Sequence, residues 1–533
     1  MTQAAGRRAD APGRRPNILV FMTDQQRADH LGCYGNPLLR TPHIDALARQ
    51  GTRFDRFYVN APVCMPNRAA LITGRMPSVA GVRMNGVPLP REAVTYAGVL
   101  RAAGYRTALI GKAHFQVMTG ARPSPVPGEP EVPRHDQAST DRRDGPLYGS
   151  EAPERWQDPD FTPETPYYGF DETQLCLEHG DAVLGAYDRW LARRAPGLHH
   201  HRHDPEARAV APQAAPTRLG EELYPTRFIA ETAADWIRDH AGGAGRDQPF
   251  LLHCSFPDPH HPYNPPGKYW SMYDPAAVTL PASFAAPLAA APPHKRAIHE
   301  EFAEGRRTTG GSRAIAVSED EARQAIALNF GAIAMIDDAV GMVMQALAES
   351  GLDDETIVIF LSDHGDFMGD HGLLFKGPLH YQSVIRMPVI IRAGAGLAPV
   401  CDSPCCAMDL FPTILECAGL PVPHGVQGRS LLPLMRGEEA GARALLIEEQ
   451  SHRDIPGLPP PWRVRTLLSG RWRLSIYAGA DWGELYDLVA DPHELKNLFA
   501  DPSHAARRAE LMGQLAMEMT MLAPNLPLPV RMA

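Results

Sequence analysis

Apolar residues run unbroken over positions 18–22 and stop at Thr23-Asp24-Gln25-Gln26. Such a run reads as a strand buried on both faces, and its polar end lies where open α/β sheets bind ligands. The pattern recurs: 107–110 runs into Gly111-Lys-Ala-His114, 250–256 into Pro257-Asp-Pro-His260, and 356–361 into Ser362-Asp-His-Gly365. Between them, 44–50 and the long stretch 319–350 carry helical periodicity. The alternation predicts an α/β fold, a large and mostly parallel sheet flanked by helices on both faces.

Two regions break the pattern. Residues 120–222 are rich in Pro, Arg and His, including the tract His199-His-His-Arg-His203, and read as a long excursion over the sheet that shapes the substrate entrance. The histidine tract itself reads as solvated loop. Beyond about residue 440, short apolar segments at 444–448, 464–468, 472–477 and 484–488 precede a helical stretch at 504–522. These predict a small C-terminal α+β domain, an antiparallel sheet with a helix, over 441–533. The α/β domain then occupies 16–440, behind a polar leader at 1–15. No internal repeat is evident.

Composition narrows the function. The 533-residue chain is 44% hydrophobic, enough for a large core, and its net charge of -10 argues against a binder of nucleic-acid backbones. Only five of its 52 basic residues are lysines, so a lysine inside a motif carries more information than usual. Eight cysteines, at 33, 64, 176, 254, 401, 405, 406 and 417, are too few and too irregular for a disulfide framework. They read as free thiols in a reducing compartment. The apolar run after the N-terminal arginine pairs is far shorter than a signal or membrane-spanning segment, so a soluble cytoplasmic protein is expected.

The sharpest local signal is Cys64-Met-Pro-Asn-Arg68 followed by Ala-Ala-Leu-Ile-Thr-Gly-Arg75. This stretch resembles the signature of the sulfatases, formylglycine-dependent members of the alkaline phosphatase superfamily. Further landmarks agree in order: Pro16-Asn-Ile-Leu, Thr41-Pro-His-Ile-Asp45, Gly104-Tyr-Arg-Thr-Ala108, Gly111-Lys-Ala-His114, Pro259-His-His-Pro262, Ser362-Asp-His-Gly-Asp366, Leu374-Phe-Lys-Gly377 and Leu485-Tyr-Asp-Leu488. The resemblance spans about 16–500 and implies an alkaline-phosphatase-like fold.

By this resemblance, Cys64 is oxidised to formylglycine by a separate formylglycine-generating enzyme, and the hydrated aldehyde is the nucleophile. Arg68 orients the diol, Lys112 and Lys376 neutralise charge on the transferred group, His114 is the base that releases sulfate, and His260 protonates or stabilises the leaving alcohol. The Pro-His-x-Pro frame selects His260 over His261. Asn85 is a weaker candidate for substrate contact. Asp24, Gln25, Asp363 and His364 are the expected ligands of one divalent metal ion. Gln25 and His364 stand where many calcium-dependent sulfatases carry Asp and Asn, and this softer set makes Mn²⁺ a competitor to Ca²⁺.

The same Asp-Gln and Asp-His pairs resemble the choline-sulfatase and phosphonate monoester hydrolase branches. Sulfate-ester hydrolysis, aryl or alkyl, is the leading expectation. Phosphonate monoester or phosphodiester hydrolysis by the same machinery is the alternative, and a catalytically silent binding protein is a third. The substrate is expected to be a small ester, with neither nucleic acid nor membrane as partner. A homo-oligomer is open, since the apolar tail 521–533 has the length to reach a neighbouring subunit.

Overall fold

The computed structural model describes residues 15–119, 143–203, 206–289, 291–308, 313–438, 443–451 and 455–522. The leader up to residue 14, positions 120–142 of the insert and the tail beyond 522 lie outside the described residues.

Nine strands form the main sheet: β1 (Asn17–Thr23), β2 (Thr52–Phe54), β3 (Arg106–Gly111), β4 (Glu172–Leu177), β5 (Leu184–Gly185), β6 (Phe250–Ser255), β7 (Thr356–Ser362), β8 (Val389–Arg392) and β9 (Val400–Cys401). Their order across the sheet is β9-β2-β8-β7-β1-β6-β3-β4-β5. The central five, from β7 to β4, are parallel. The edges depart from the parallel expectation, because β8 runs antiparallel to both β7 and β2, and β5 antiparallel to β4. These are short strands on which the sequence shows no long apolar run.

The unbroken apolar run of β1 has a direct cause. Leu19 and Phe21 face one core, which also holds Ile333 and Val340 of the long helix 319–349. Ile18, Val20 and Met22 face a second core, with Leu71 and Tyr96. Helices therefore cover both faces: α1 (Pro42–Gln50), α5 (Pro225–Gly242) and α6 (Glu319–Glu349) supply the first layer, and α2 (Cys64–Thr73), α3 (Tyr96–Ala102) and α7 (Leu410–Cys417) the second; α4 (Ala186–Arg194) packs beside β4 and β5. Helix α6 begins at Ser318 with a reciprocal capping box to Glu321. It is long and apolar enough to cross a membrane, but 83% of its most apolar window is buried inside the protein.

The stretch read as an excursion, 120–222, is partly structure: β4 extends the parallel sheet and α4 packs on it. After residue 440, β10 (Leu445–Ser451), β11 (Trp462–Ser469), β12 (Trp472–Tyr477) and β13 (Gly483–Asp487) form an antiparallel meander. Helix α8 (Ala505–Thr520) sets Leu511 and Leu515 against Leu467, Leu474 and Leu485 of that sheet.

Candidate active site

The carboxyl ends of the parallel strands converge on one buried cluster. Thr23 of β1 pairs with Ser362 of β7, so the next residues, Asp24 and Asp363, emerge side by side. The Gln25 backbone N–H then donates to Asp363 Oδ1 at 3.0 Å, which folds the chain across the strand end. Cys64 opens α2 with its Sγ 3.2 Å from His364 Nε2, 3.3 Å from Lys376 Nζ and 3.8 Å from Asp24 Oδ1. Asp24, Cys64, Asp363 and His364 each bring one ligand atom to within 4.8 Å of the others.

The donor set fits a divalent cation in orientation as well as in kind. His364 Nδ1 faces the Gly365 carbonyl at 2.9 Å, so that nitrogen donates there and Nε2 is the ring atom turned to Cys64. Gln25 Nε2 donates to Asp366 and lies 3.1 Å from His261 Nδ1, which turns its Oε1 to the opposite side, where it accepts from Lys376 at 2.7 Å. Asp366 is itself fixed by backbone N–H donors from Met368 and Phe375 and by the Tyr263 hydroxyl. Two carboxylates and an imidazole nitrogen thus gather with Cys64 at one centre, and the Gln25 amide oxygen is turned to Lys376 beside it.

Arg68, one helical turn after Cys64, ties this centre together. Its Nε donates to Asp363 Oδ2 at 2.8 Å, one terminal nitrogen to Asp24 Oδ2 at 3.1 Å, and the other to the Lys112 carbonyl and the Ser255 hydroxyl at 2.9 and 3.0 Å. Its fork holds the carboxylates and the ends of β3 and β6.

Lys112 reaches the cluster because β3 ends in a glycine. A Cβ at Gly111, whose φ is +109°, would lie 1.9 Å from the Ser255 carbonyl, and the close approach lets the Lys112 N–H bond that same oxygen at 2.9 Å. Lys112 Nζ contacts Asp24 and stands 2.5 Å from His179 Nε2. His179 stacks on His260 with ring centroids 3.7 Å apart, and His260 Nε2 lies 3.4 Å from Lys376 Nζ. His260 Nδ1 is 2.5 Å from the His261 carbonyl, so its Nε2 is the nitrogen that faces the site.

His114 is buried beside this group, with Nδ1 free of any hydrogen-bond partner among the described residues. Asn85 stands beside the helix that Cys64 opens: its Oδ1 accepts the Met65 N–H at 3.1 Å in the first turn of α2. His380 and Tyr381, just past Lys376, belong to the junction with the C-terminal sheet, where His380 bonds Thr466 and Glu449.

Charge in the cluster follows from burial opposed by neighbours. Burial and the Asp24 carboxylate push the Cys64 thiol up, yet Lys376, Lys112 and His364 outweigh them and its pKa falls below the ordinary value. Burial also opposes ionisation of Asp24, but Lys112, His260 and Arg68 hold it well below the usual carboxylate range. His114, His179, His260 and His261 are all pushed well below 6.5, by burial first and then by adjacent cations or histidines. All eight cysteines are free.

Two residues of the site escaped the sequence reading. His179 follows β4 directly, at a polar strand end like the others, but the half-polar strand Glu172-Thr-Gln-Leu-Cys-Leu177 hid the signal. Glu151 has no motif around it, and accepts backbone N–H groups of His114, Phe115 and Gln116.

A parallel sheet whose strand ends gather two carboxylates, a helix-borne cysteine and paired cations defines a hydrolase of the alkaline phosphatase superfamily. Residues 16–420 match the family model described as Sulfatase, and 369–521 match one described as N-sulphoglucosamine sulphohydrolase, C-terminal. The chain belongs to the sulfatase family and is a sulfuric ester hydrolase by class. It is 30% identical over 524 residues to a multifunctional alkaline phosphatase superfamily protein of Trinickia caryophylli, covering 92% of this chain and 93% of that one. A choline-sulfatase of Rhizobium meliloti is 28% identical over 487 residues, 90% of this chain and 81% of its own. A phosphonate monoester hydrolase of Agrobacterium radiobacter superposes with a TM-score of 0.74 at 26% identity, covering 96% of this chain and 97% of the other.

Proposed function

We propose that the chain hydrolyses sulfate monoesters to an alcohol or phenol and inorganic sulfate, with a formylglycine made from Cys64 as nucleophile. The observation that carries this reading is the position of Cys64 Sγ, between His364, Lys376 and Asp24 at the start of α2.

Asp24, Gln25, Asp363 and His364 would hold one divalent cation, which when bound polarises the sulfuryl oxygens and favours the ionised nucleophile. One hydroxyl of the hydrated aldehyde attacks sulfur and the alcohol leaves. The second hydroxyl then gives up its proton, the C=O bond re-forms, and sulfate departs with the C–O bond electrons. His114, neutral and without a partner at Nδ1, takes that proton. His260 faces the leaving oxygen with Lys376 beside it, while Lys112 and Lys376 offset charge on the transferred group. Arg68 keeps Asp24 and Asp363 ionised and oriented.

The second reading, a phosphonate monoester hydrolase or phosphodiesterase with the same machinery, draws support from the Agrobacterium radiobacter structure and from the softer Asp-Gln and Asp-His ligand set. Lys112 with His114 favours sulfate esters. A maturation partner, the formylglycine-generating enzyme, follows from either reading, and the eight free thiols support a reducing cytoplasmic setting.

The deciding experiment compares kcat/KM of matured protein on 4-nitrophenyl sulfate, a phosphonate monoester and a phosphodiester, with metal analysis of the same sample. Sulfate turnover well above the other two supports the proposal, and a reversed order replaces it with the second reading. An unmodified Cys64 thiol in protein from its native host, seen by peptide mass spectrometry, leaves a silent binding protein.

A further inference from the structure

His114 sits in a left-handed backbone conformation, φ +54°, which a residue with a Cβ adopts only when its surroundings impose it. The surroundings here are one carboxylate. Glu151 is fully buried, and it accepts the backbone N–H of His114 at Oε2 (2.7 Å) and those of Phe115 and Gln116 at Oε1 (both 2.8 Å). The Tyr167 hydroxyl adds a fourth donor to Oε1 at 2.5 Å. No cation pairs with this carboxylate among the described residues. Burial pushes the Glu151 carboxyl up, but its partners are all donors and they fit the ionised form. Gln116 closes the clamp from the other side, accepting the Ser150 N–H at 2.9 Å and donating to the Leu147 carbonyl at 3.0 Å.

We infer that Glu151 is a positioning residue: its carboxylate gathers three successive backbone N–H groups and so aims the His114 ring into the site. This rests on the proposed role of His114 as base in the second half of the reaction. Glu151 touches neither substrate nor reacting atoms. It acts by fixing where the imidazole stands, and a displacement of about 1 Å at a proton-transfer group costs on the order of 100-fold in rate.

The test compares Glu151→Gln, Glu151→Asp and His114→Ala in matured protein. Because His114 acts after the alcohol has left, loss of its function lowers kcat and KM together and leaves kcat/KM within about threefold. Sulfated enzyme then accumulates and appears by intact mass as the gain of one SO₃. Glu151→Gln keeps the size of the side chain but turns an N–H₂ toward backbone donors. It is expected to reproduce this pattern with kcat down at least about tenfold, and to add nothing further in a His114→Ala background. Glu151→Asp retains the charge and withdraws it, and gives an intermediate loss of kcat; it decides the matter if the Gln variant does not fold.

Unchanged kcat in the variants that fold, or a Glu151→Gln loss that multiplies with that of His114→Ala, overturns the inference. If His114→Ala itself lowers kcat/KM, the proposed role of His114 fails instead, and the double variant still judges Glu151. Reactivity of His114 toward diethyl pyrocarbonate, read by peptide mass spectrometry, is independent of turnover. His114, a residue 6% exposed in the native protein, becomes modifiable in Glu151→Gln, and continued protection counts against the clamp.

Discussion

Gln25 and His364 set an amide oxygen and an imidazole nitrogen beside two carboxylates, and their orientation is fixed from behind by Asp366 and the Gly365 carbonyl. Imidazole favours Mn²⁺ over Ca²⁺, while an extra carboxylate does the reverse. The pair of changes Gln25→Asp and His364→Asn is expected to lower the bound Mn:Ca ratio by about tenfold or more in competitive loading followed by elemental analysis. An unmoved ratio would sink the assignment of these two side chains. Acidity offers a second check at this scale. The His114 pKa is pushed well below 6.5 by burial, then by Lys112 and Arg68, so the ring remains a base on the acid side of neutrality. The acid limb of kcat should therefore lie below pH 6.5, and a limb at or above that value would exclude His114 as the base.

Among the elements, the long apolar strands β1, β6 and β7 were legible because helices cover both their faces, so every position must be apolar. Strand β4 was not, because only its last three residues are buried, and His179 was lost with it. Metal-ligand candidates at strand ends announce themselves by residue type. A carboxylate such as Glu151, whose partners are backbone N–H groups, leaves no trace in the order of residues. The same holds for Asp337 of α6, which accepts the N–H groups of His43 and Ile44 at 3.2 and 2.8 Å and caps α1 from another helix. Replacement by Ala should cost about 1 to 2 kcal/mol of unfolding free energy in urea. A loss below a few tenths of that would mean that α1 finds its cap elsewhere.

At the scale of the whole molecule, the C-terminal sheet carries its own buried ionic cluster and meets the core at one edge of it. Arg473 is fully buried between Glu484 and Glu494, at 3.0 and 2.5 Å, and Glu494 also accepts the Gln382 N–H at 2.8 Å from the loop that follows Lys376. Removing the cation as Arg473→Met strands two acids in the interior and should destabilise the protein by about 3 to 5 kcal/mol, with partial recovery when Glu484 and Glu494 become Gln. Buried histidines impose a further global property. Burial holds His30 and His294 near about 4 and His253 near about 3, against an ordinary value of 6.5. Below pH 6.5 the unfolded chain takes up protons that the folded chain refuses, so stability falls as pH drops through this range. Burial pulls the other way at Asp258, raised to about 6, and at Asp337 and Glu494, raised to about 7, so the test is made at the rings themselves: His253→Gln should make the midpoint of thermal unfolding less sensitive to acid between pH 7 and pH 5, and an unchanged sensitivity would contradict the neutral state of that ring.

Once α2 docks, Cys64 is 2% exposed and pinned by Lys376 and His364, out of reach for any second enzyme. On the proposed conversion of Cys64, chemistry on that sulfur belongs to the interval before the chain collapses, and a molecule that folds first keeps its thiol. Yield of competent protein is then a race between two clocks. Slowing synthesis should raise the converted fraction, and a short peptide spanning 60–75 should itself be converted by the modifying enzyme, while folded thiol protein added to that enzyme stays as it is.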